Sequence, residues 1–266
     1  MKLFFKGQPY HGFKEIISTL DAGLMKFALL KLIQGESYSG LSGNFEIALV
    51  ILGGQANVRV NGEEYQKLGE RANVFAGPAA SVYIPIGADY SVEAVSGSVE
   101  VAVCAVEAEQ CFAPFVVRPE EVVINHRGAH AWQRDVHDII TDNGDGRVDR
   151  IIVGETYGAP GNWSSFPPHK HDHFVPDQET ELMEIYHFRL DPPTGFGVQV
   201  IYSKENNLDE AYLIRDSDSV NIPFGYHPVV TPPSVKVYYL WFLGGKLGRN
   251  LVPKDDADYV ALRSLE

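Results

Sequence analysis

Positive charge is scarce in this 266-residue sequence: 22 Lys and Arg stand against 35 Asp and Glu, which gives a formal net charge of −13. No block of Lys or Arg stands out along the chain. The basic patch of nucleic-acid-binding proteins is therefore missing, and an anionic membrane surface is not an expected partner. A small anionic substrate is compatible with this charge, because a metal ion and one or two Arg side chains can dominate a site locally.

Long apolar runs are also missing from the sequence. No stretch reaches the ~18 apolar residues that a membrane-spanning helix needs, and residues 1–15 lack the pattern of a signal peptide. We therefore expect a cytoplasmic protein. Cysteine is limited to Cys104 and Cys111, whose spacing matches no zinc or redox motif and gives no support for a disulfide.

The residues that are abundant favour β-structure. Twenty-five Gly and 16 Pro separate short runs rich in Val, Ile and Tyr, a pattern typical of strands joined by tight turns. Asn61-Gly62 lies between two such runs and predicts a hairpin, since its turn needs positive φ angles. Helix signals are weak, and residues 14–20 and 209–212 are each expected to form one short helical turn. The sequence therefore predicts an all-β fold.

Two segments, residues 45–106 and 150–243, share two short sequence motifs. The first is an acidic residue before an apolar run, at Glu46 and Glu184, and the second is a Pro-x-Gly-x-Asp/His turn, at residues 85–89 and 223–227. We interpret this as an internal duplication of one antiparallel β-unit.

The second segment carries a pattern of metal ligands. His169 and His171 are two residues apart, so on a strand their imidazoles point to the same face. Glu184 opens a strong strand and can add a carboxylate, with Glu181 as its competitor, and His227 follows a Pro–Gly turn. Three imidazoles and one carboxylate suit Zn²⁺ or Mn²⁺, with Fe²⁺, Co²⁺ and Ni²⁺ as further candidates, and leave open positions for water or substrate.

Three neighbouring side chains have other expected places. Lys170 alternates with the two histidines and should point away from the metal. His173 lies next to an aspartate at a loop entrance, which favours a surface position. His187 falls on the opposite face of its strand from Glu184, which favours packing or a hydrogen bond outside the site.

The sequence of these segments resembles that of the IolB family, the 5-deoxy-glucuronate isomerases of myo-inositol catabolism. This family is related to the KduI hexosulose-uronate isomerases. The resemblance is strongest over residues 134–243, where it is carried by residues 161–172, 181–188, 195–199, 208–212 and 223–229. One departure is Trp241, which stands where we expect a small polar residue.

The resemblance implies a bicupin, with two jelly-roll β-barrels in one chain. It implies an N-terminal barrel over residues 1–114 without a metal, a connecting segment over 115–149 and a metal-binding barrel over 150–266. Its implied ligands are His169, His171, Glu184 and His227, the same set that the spacing indicates.

The implied reaction converts 5-deoxy-glucuronate to 5-dehydro-2-deoxy-gluconate, in which a proton moves from C2 to C1 while one divalent ion stabilises the charge on oxygen. Glu181 and Tyr186 are the candidate catalytic residues, and a metal-bound water is an alternative base. For the substrate carboxylate we prefer Arg215 over Arg134 and Arg189, and Lys170 and Tyr239 are further candidate contacts.

Alternative functions remain open at this point. They are an isomerase acting on another sugar acid of the hexosulose-uronate type, an Fe(II) dioxygenase, and a bicupin that binds metal or sugar acid without turnover. The expected partner is a small sugar acid, with neither nucleic acid nor membrane, and the expected assembly is a homodimer or higher homo-oligomer.

Overall fold

The computed structural model describes residues 1–265, without the side chain of Ser96. The chain is nearly all-β and has the predicted bicupin fold. Its residues divide into two compact units that interleave along the sequence. The N-terminal unit consists of Pro9–Val123 and Asp138–Val153, and the C-terminal unit consists of Met1–Gln8, Ile124–His137 and the chain from Gly154 onward. The predicted division at residues 114 and 150 instead follows chain order.

The N-terminal unit is built on one antiparallel sheet whose strands differ in length. Its strands are β2 (Gly12–Ile17), β3 (Met25–Ile33), β4 (Ser37–Leu41), β5 (Phe45–Val60), β6 (Glu63–Leu68), β7 (Ser81–Ile84), β8 (Asp89–Glu107) and β9 (Phe115–Val117). They pair in the order β2-β3-β8-β5-β7-β9, with β4 added to β8 and β6 to β5. The sheet curls around an apolar core that includes Ile47, Leu49, Val82, Ile84 and Val103.

The C-terminal unit holds the remaining strands. They are β1 (Phe4–Phe5), β10 (Val123–Arg127), β11 (Arg134–Ile140), β12 (Ile152–Gly158), β13 (Trp163–Ser164), β14 (His169–Lys170), β15 (Met183–Asp191), β16 (Gly197–Ser203), β17 (Leu208–Ile214), β18 (Ser219–Ile222), β19 (Val229–Val230), β20 (Lys236–Gly244) and β21 (Lys254–Asp255). They form three sheets, ordered β1-β18-β15-β20-β12-β11-β10, β13-β19-β16-β17 and β14-β21. The unit boundaries fall near one end of β10 and within β11 and β12.

Of the predicted turns and helices, the hairpin is present and the helical turns are mostly replaced by strands. The predicted hairpin is confirmed, because β5 and β6 pair across Asn61 and Gly62, which have φ angles of 49° and 87°. The predicted helical turn at 209–212 is wrong: these residues lie in β17 and pair with β16. Sheet pairing overrides a weak local helix preference there. Residues 14–17 are likewise strand, and the short helix α1 begins at Thr19 and ends at Ala22.

The two cysteines differ in burial. Cys104 is buried and Cys111 is exposed, and no disulfide joins them in the described structure. Among the described residues, no helix has the length and hydropathy to cross a membrane.

Candidate metal centre

His171 is held in place by two hydrogen bonds to one residue. It follows β14, and its carbonyl accepts a hydrogen bond from the Leu182 backbone N–H at 2.8 Å. Its Nδ1 donates to the Leu182 carbonyl at 2.7 Å. Because that bond fixes the proton on Nδ1, Nε2 is left to face Glu184 Oε2, 3.3 Å away.

His227 is oriented by the turn after β18. Gly225 in this turn has a φ of 90°, and a Cβ on it would come within 2.8 Å of the Tyr202 carbonyl oxygen, so only glycine fits. The Gly225 carbonyl accepts a hydrogen bond from His227 Nδ1 at 2.9 Å. The opposite ring atom, His227 Nε2, lies 3.3 Å from Glu184 Oε2.

Three imidazoles therefore lie together, and two of them, His171 and His227, face one carboxylate. The ligand atoms of His169, His171 and His227 all lie within 4.8 Å of one another. The ring centroids of His169 and His227 are 4.8 Å apart, and those of His171 and His227 are 5.2 Å apart. His171, Glu184 and His227 are buried and His169 is half-buried, so this cluster lies inside the C-terminal unit.

The charges in this cluster favour a bound cation. Burial, followed by the neighbouring imidazoles His227 and His171, holds the pKa of His169 well below its usual value. Burial alone would raise the pKa of Glu184, but the neighbouring imidazoles of His171 and His227 lower it to about 2. Burial alone would lower the pKa of His171, but the hydrogen bond and the charge of Glu184 raise it. The cluster thus offers imidazole nitrogens beside an ionised carboxylate, which is the donor set of borderline divalent metals.

His227 Nε2 provides a further test of fit. This atom is buried and makes no well-aligned hydrogen bond with any described residue. Buried ring nitrogens are normally satisfied, and a metal ion on Nε2 would satisfy this one. The residues present therefore fit a divalent metal ion.

Two tyrosines lie beside the imidazoles. Tyr186 shares a face of β15 with Glu184, and its ring centroid is 5.9 Å from that of His227. The Tyr239 ring on β20 is 4.5 Å from the Tyr186 ring, and its hydroxyl is 2.5 Å from Ser164 Oγ. Burial, then the charge of Glu184, raises the pKa of Tyr186 well above its ordinary value. Both hydroxyls therefore stay protonated at neutral pH.

Arg134 and Trp241 extend this polar interior. Burial raises the pKa of the Tyr239 hydroxyl, and the nearby positive charge of Arg134 opposes that rise. Arg134 is half-buried and donates a hydrogen bond to the Trp132 carbonyl at 3.1 Å. Trp241 pairs with Tyr186 across β15 and β20, and its indole N–H donates to Thr156 Oγ1 at 3.0 Å.

Two other predicted site residues are not brought to the cluster. Glu181 is exposed, whereas Glu184 is buried beside the imidazoles. Arg215 is also exposed; its guanidinium donates to the Gly195 carbonyl at 2.9 Å and lies over the Phe196 ring. Their predicted roles would require movement toward the imidazoles.

The comparisons with known proteins agree on the family. A family model described as the KduI/IolB family matches residues 11–262. The chain belongs to this family. At 36% identity over 220 residues, it aligns with a protein named 5-deoxy-glucuronate isomerase from Geobacillus kaustophilus (strain HTA426), covering 82% of this chain and 79% of the relative. The relative of the same name from Bacillus subtilis (strain 168) is 34% identical over 229 residues, covering 86% of this chain and 84% of the relative.

Solved structures show the same relationship. The crystal structure of an IolB-like protein from Salmonella typhimurium LT2 has a TM-score of 0.92 at 33% identity, covering 99% of this chain and 100% of that chain. A variant of Bacillus subtilis oxalate decarboxylase has a TM-score of 0.64 at 10% identity, covering 96% of this chain and 79% of that chain. The second likeness shows the bicupin fold alone.

In this KduI/IolB family chain, Lys170 lies among carboxylates. As its strand position predicts, Lys170 alternates with the two histidines, and its ammonium is bonded to Asp172 and, at 2.6 Å, to Glu179 Oε1. The sequence offered a partial signal for this group, since Asp172 has the same strand parity as Lys170. No local sequence pattern predicted the contact of Glu179 with Lys170, because a loop between the two residues brings Glu179 back to the lysine.

Lys170 and Asp172 also line a cavity of about 580 Å³. Its other lining residues include Trp163, Tyr202 and Tyr226, and they do not include the three imidazoles. His173, expected at the surface, is exposed, with Nδ1 2.6 Å from Asp172 Oδ1. His187 is buried beside Ser219, as expected for the face of β15 opposite Glu184.

Proposed function

We propose that this chain is a metal-dependent aldose–ketose isomerase that converts 5-deoxy-glucuronate to 5-dehydro-2-deoxy-gluconate in myo-inositol catabolism. Relatives at 34–36% identity over more than four fifths of the chain bear the name 5-deoxy-glucuronate isomerase. The observation that carries the proposal is the cluster of three imidazoles, two of which face Glu184, because an isomerase of this kind needs a group that stabilises negative charge on oxygen.

The proposed ligands of one divalent ion are His169, His171, Glu184 and His227. Zn²⁺ and Mn²⁺ suit this donor set best, and Fe²⁺, Co²⁺ and Ni²⁺ are also compatible with it. When bound, such an ion supplies Lewis-acid stabilisation of the C1 and C2 oxygens of the sugar acid.

The two buried tyrosines are the groups best placed to contact the sugar. A hydroxyl whose pKa is raised keeps its proton at neutral pH, so Tyr186 can donate a hydrogen bond to an oxygen that gains negative charge. Tyr239 lies against Tyr186 and can orient a neighbouring hydroxyl. Tyr186 and Glu181 are the proposed residues for proton transfer, and Tyr186 is the one already beside the imidazoles.

The substrate carboxylate needs a cation. We assign it to Arg134, whose charge acts on Tyr239, in preference to Arg215, which is exposed. The ammonium of Lys170 is already paired with two carboxylates. A planar guanidinium also matches the geometry of a carboxylate better than an ammonium does.

The test is isomerisation of 5-deoxy-glucuronate by protein stripped of metal with a chelator and then reloaded with Zn²⁺ or Mn²⁺. Product is followed by NMR, which distinguishes the ketose from the aldose. We expect turnover only after reloading. His171→Ala should abolish it, whereas the matched control His126→Ala, whose side chain is 81% exposed, should leave it unchanged.

Three results would contradict parts of this proposal. Full turnover by the metal-free protein would remove the metal requirement. Tight metal binding without turnover on 5-deoxy-glucuronate, but with turnover on a hexosulose-uronate, would change the substrate. Metal binding without turnover on either sugar acid would leave a binding protein.

A further inference from the structure

We propose that Lys170, Asp172 and Glu179, called here the Lys170 cluster, are positioning residues that set the orientation of His171 and His227. This inference rests on the proposed metal centre and deepens it. The cluster lies beside the cavity described above rather than among the imidazoles, so it would act on the ligands through the backbone.

Glu179 ties the loop after His171 to the histidine strand. Its Oε1 accepts hydrogen bonds from Lys170 Nζ at 2.6 Å, from the Asp172 backbone N–H at 3.1 Å and from the His173 backbone N–H at 3.2 Å. The Glu179 side chain is 1% exposed. One buried oxygen thus holds the two peptide groups that directly follow His171.

Asp172 connects the same cluster to His227. One carboxylate oxygen, Oδ1, accepts a hydrogen bond from Lys170, and the other, Oδ2, accepts one from the Gly225 backbone N–H at 2.8 Å. The carbonyl of Gly225 in turn accepts the hydrogen bond from His227 Nδ1. This bond fixes the tautomer and the ring direction that leave Nε2 available, so Asp172 reaches a ligand through one residue of backbone.

The charges of the cluster favour a positioning role over simple stabilisation. Two carboxylates with side chains 4% and 1% exposed share one ammonium, Lys170. Buried ion pairs of this kind contribute little net stability compared with apolar packing, because their desolvation offsets their attraction. What such a network does supply is a fixed geometry, here for the segments that carry His171 and His227.

The experiment measures Co²⁺ binding to the metal-free full-length protein, by titration against a chromophoric competitor and by the visible absorption spectrum of the bound ion. The variants are Asp172→Ala, Asp172→Asn and Glu179→Gln. Asp255→Asn is the matched control, because Asp255 pairs with Arg263 at 2.8 Å and lies opposite His169 in the β14–β21 register, yet contacts none of the cluster carboxylates through its side chain in the described structure.

Outer residues that orient metal ligands change affinity by about 10–100-fold. We expect Asp172→Ala to weaken Co²⁺ binding within that range and to shift its absorption bands. Asp172→Asn should be partly rescued, since its amide oxygen can still accept from Gly225. Asp255→Asn should bind within about twofold of the wild type.

Wild-type affinity and an unchanged spectrum in folded Asp172→Ala would overturn the inference while leaving the metal centre intact. Should that variant not fold, the same result in Asp172→Asn and Glu179→Gln together would overturn it. Absence of Co²⁺ binding by the wild type would instead overturn the metal centre, and the inference with it.

Discussion

Strand β5 of the N-terminal unit and strand β15 of the C-terminal unit begin alike, each with an acidic residue in second place, but they present different faces to the interior. In β15, Glu184 pairs with Ile222, which directly precedes the Pro223 turn. In β5 the residue paired with the corresponding Ile84 is Ile47, and Ile84 directly precedes Pro85. By register, therefore, Ile47 occupies the place of Glu184, and Glu46 is one residue out.

That single residue changes what the carboxylate does. Glu46 is fully buried on the other face of β5. It accepts hydrogen bonds from the backbone N–H groups of Asp149 at 2.9 Å, Arg150 at 2.5 Å and Ile151 at 2.6 Å, and from the Tyr83 hydroxyl at 2.9 Å. Glu46 thus fastens residues 149–151 to the sheet, whereas Glu184 faces the imidazoles of His171 and His227.

The difference shows how one β-unit can serve two purposes. Successive side chains on a strand point to opposite faces, so a shift of one residue moves a carboxylate from the inner face of the sheet to its other face. The interior of the N-terminal unit is filled by apolar side chains such as Ile47 and Val82. Asp89, which matches His227 in sequence spacing, is exposed.

The largest expected effect comes from making the two interiors alike. Ile47→Glu would place a carboxylate among apolar side chains without a partner, which should destabilise the fold by about 4 kcal/mol or more. Ile47→Val, as control, should cost about 1 kcal/mol. Urea unfolding measures both, and equal losses in the two variants would show that this interior accepts a charge.

The next effect concerns the carboxylate that faces away from the core. Glu46→Ala leaves three backbone N–H groups and one hydroxyl without their acceptor, so we expect a loss of about 3–4 kcal/mol in the free energy of unfolding. Glu70, which is exposed, is the control: Glu70→Ala should change stability by no more than about 0.5 kcal/mol. A similarly small change in Glu46→Ala would contradict the anchoring role.

Metal removal tests whether the ion binds in the C-terminal unit, at Glu184. At a free metal concentration 100 times its Kd, binding to the folded state adds about 3 kcal/mol of stability. A chelator should therefore lower the unfolding free energy of the wild type by this amount and have no effect on Glu184→Ala. A chelator effect that persists in Glu184→Ala would place the ion elsewhere.

Much of the fold follows from local sequence, since Gly and Pro turns and runs of β-branched residues predicted the strands, and Asn61-Gly62 predicted its hairpin. Residue spacing also indicated the three imidazoles and the carboxylate that the structure brings together, and their role as metal ligands stays a prediction. The register of Glu46 could not be read this way, because Glu46 and Glu184 lie the same number of residues before Pro85 and Pro223. The offset of one residue arises only in the pairing of the strands. The partners of Lys170 depend on a loop closure that no local pattern encodes.

The smallest effects compare the interior of the C-terminal unit with its surface. If Arg134 binds the substrate carboxylate, Arg134→Ala should raise KM for 5-deoxy-glucuronate by about 10-fold or more, because a charged hydrogen bond contributes about 1.5–3 kcal/mol. Arg215→Ala removes an exposed side chain bonded to the Gly195 carbonyl and should change KM less than about twofold. Steady-state kinetics on the metal-loaded variants decides between them. A larger KM increase in Arg215→Ala would mean that the exposed arginine moves to the substrate. Arg215, which the sequence analysis preferred, would then be the residue that binds the substrate carboxylate.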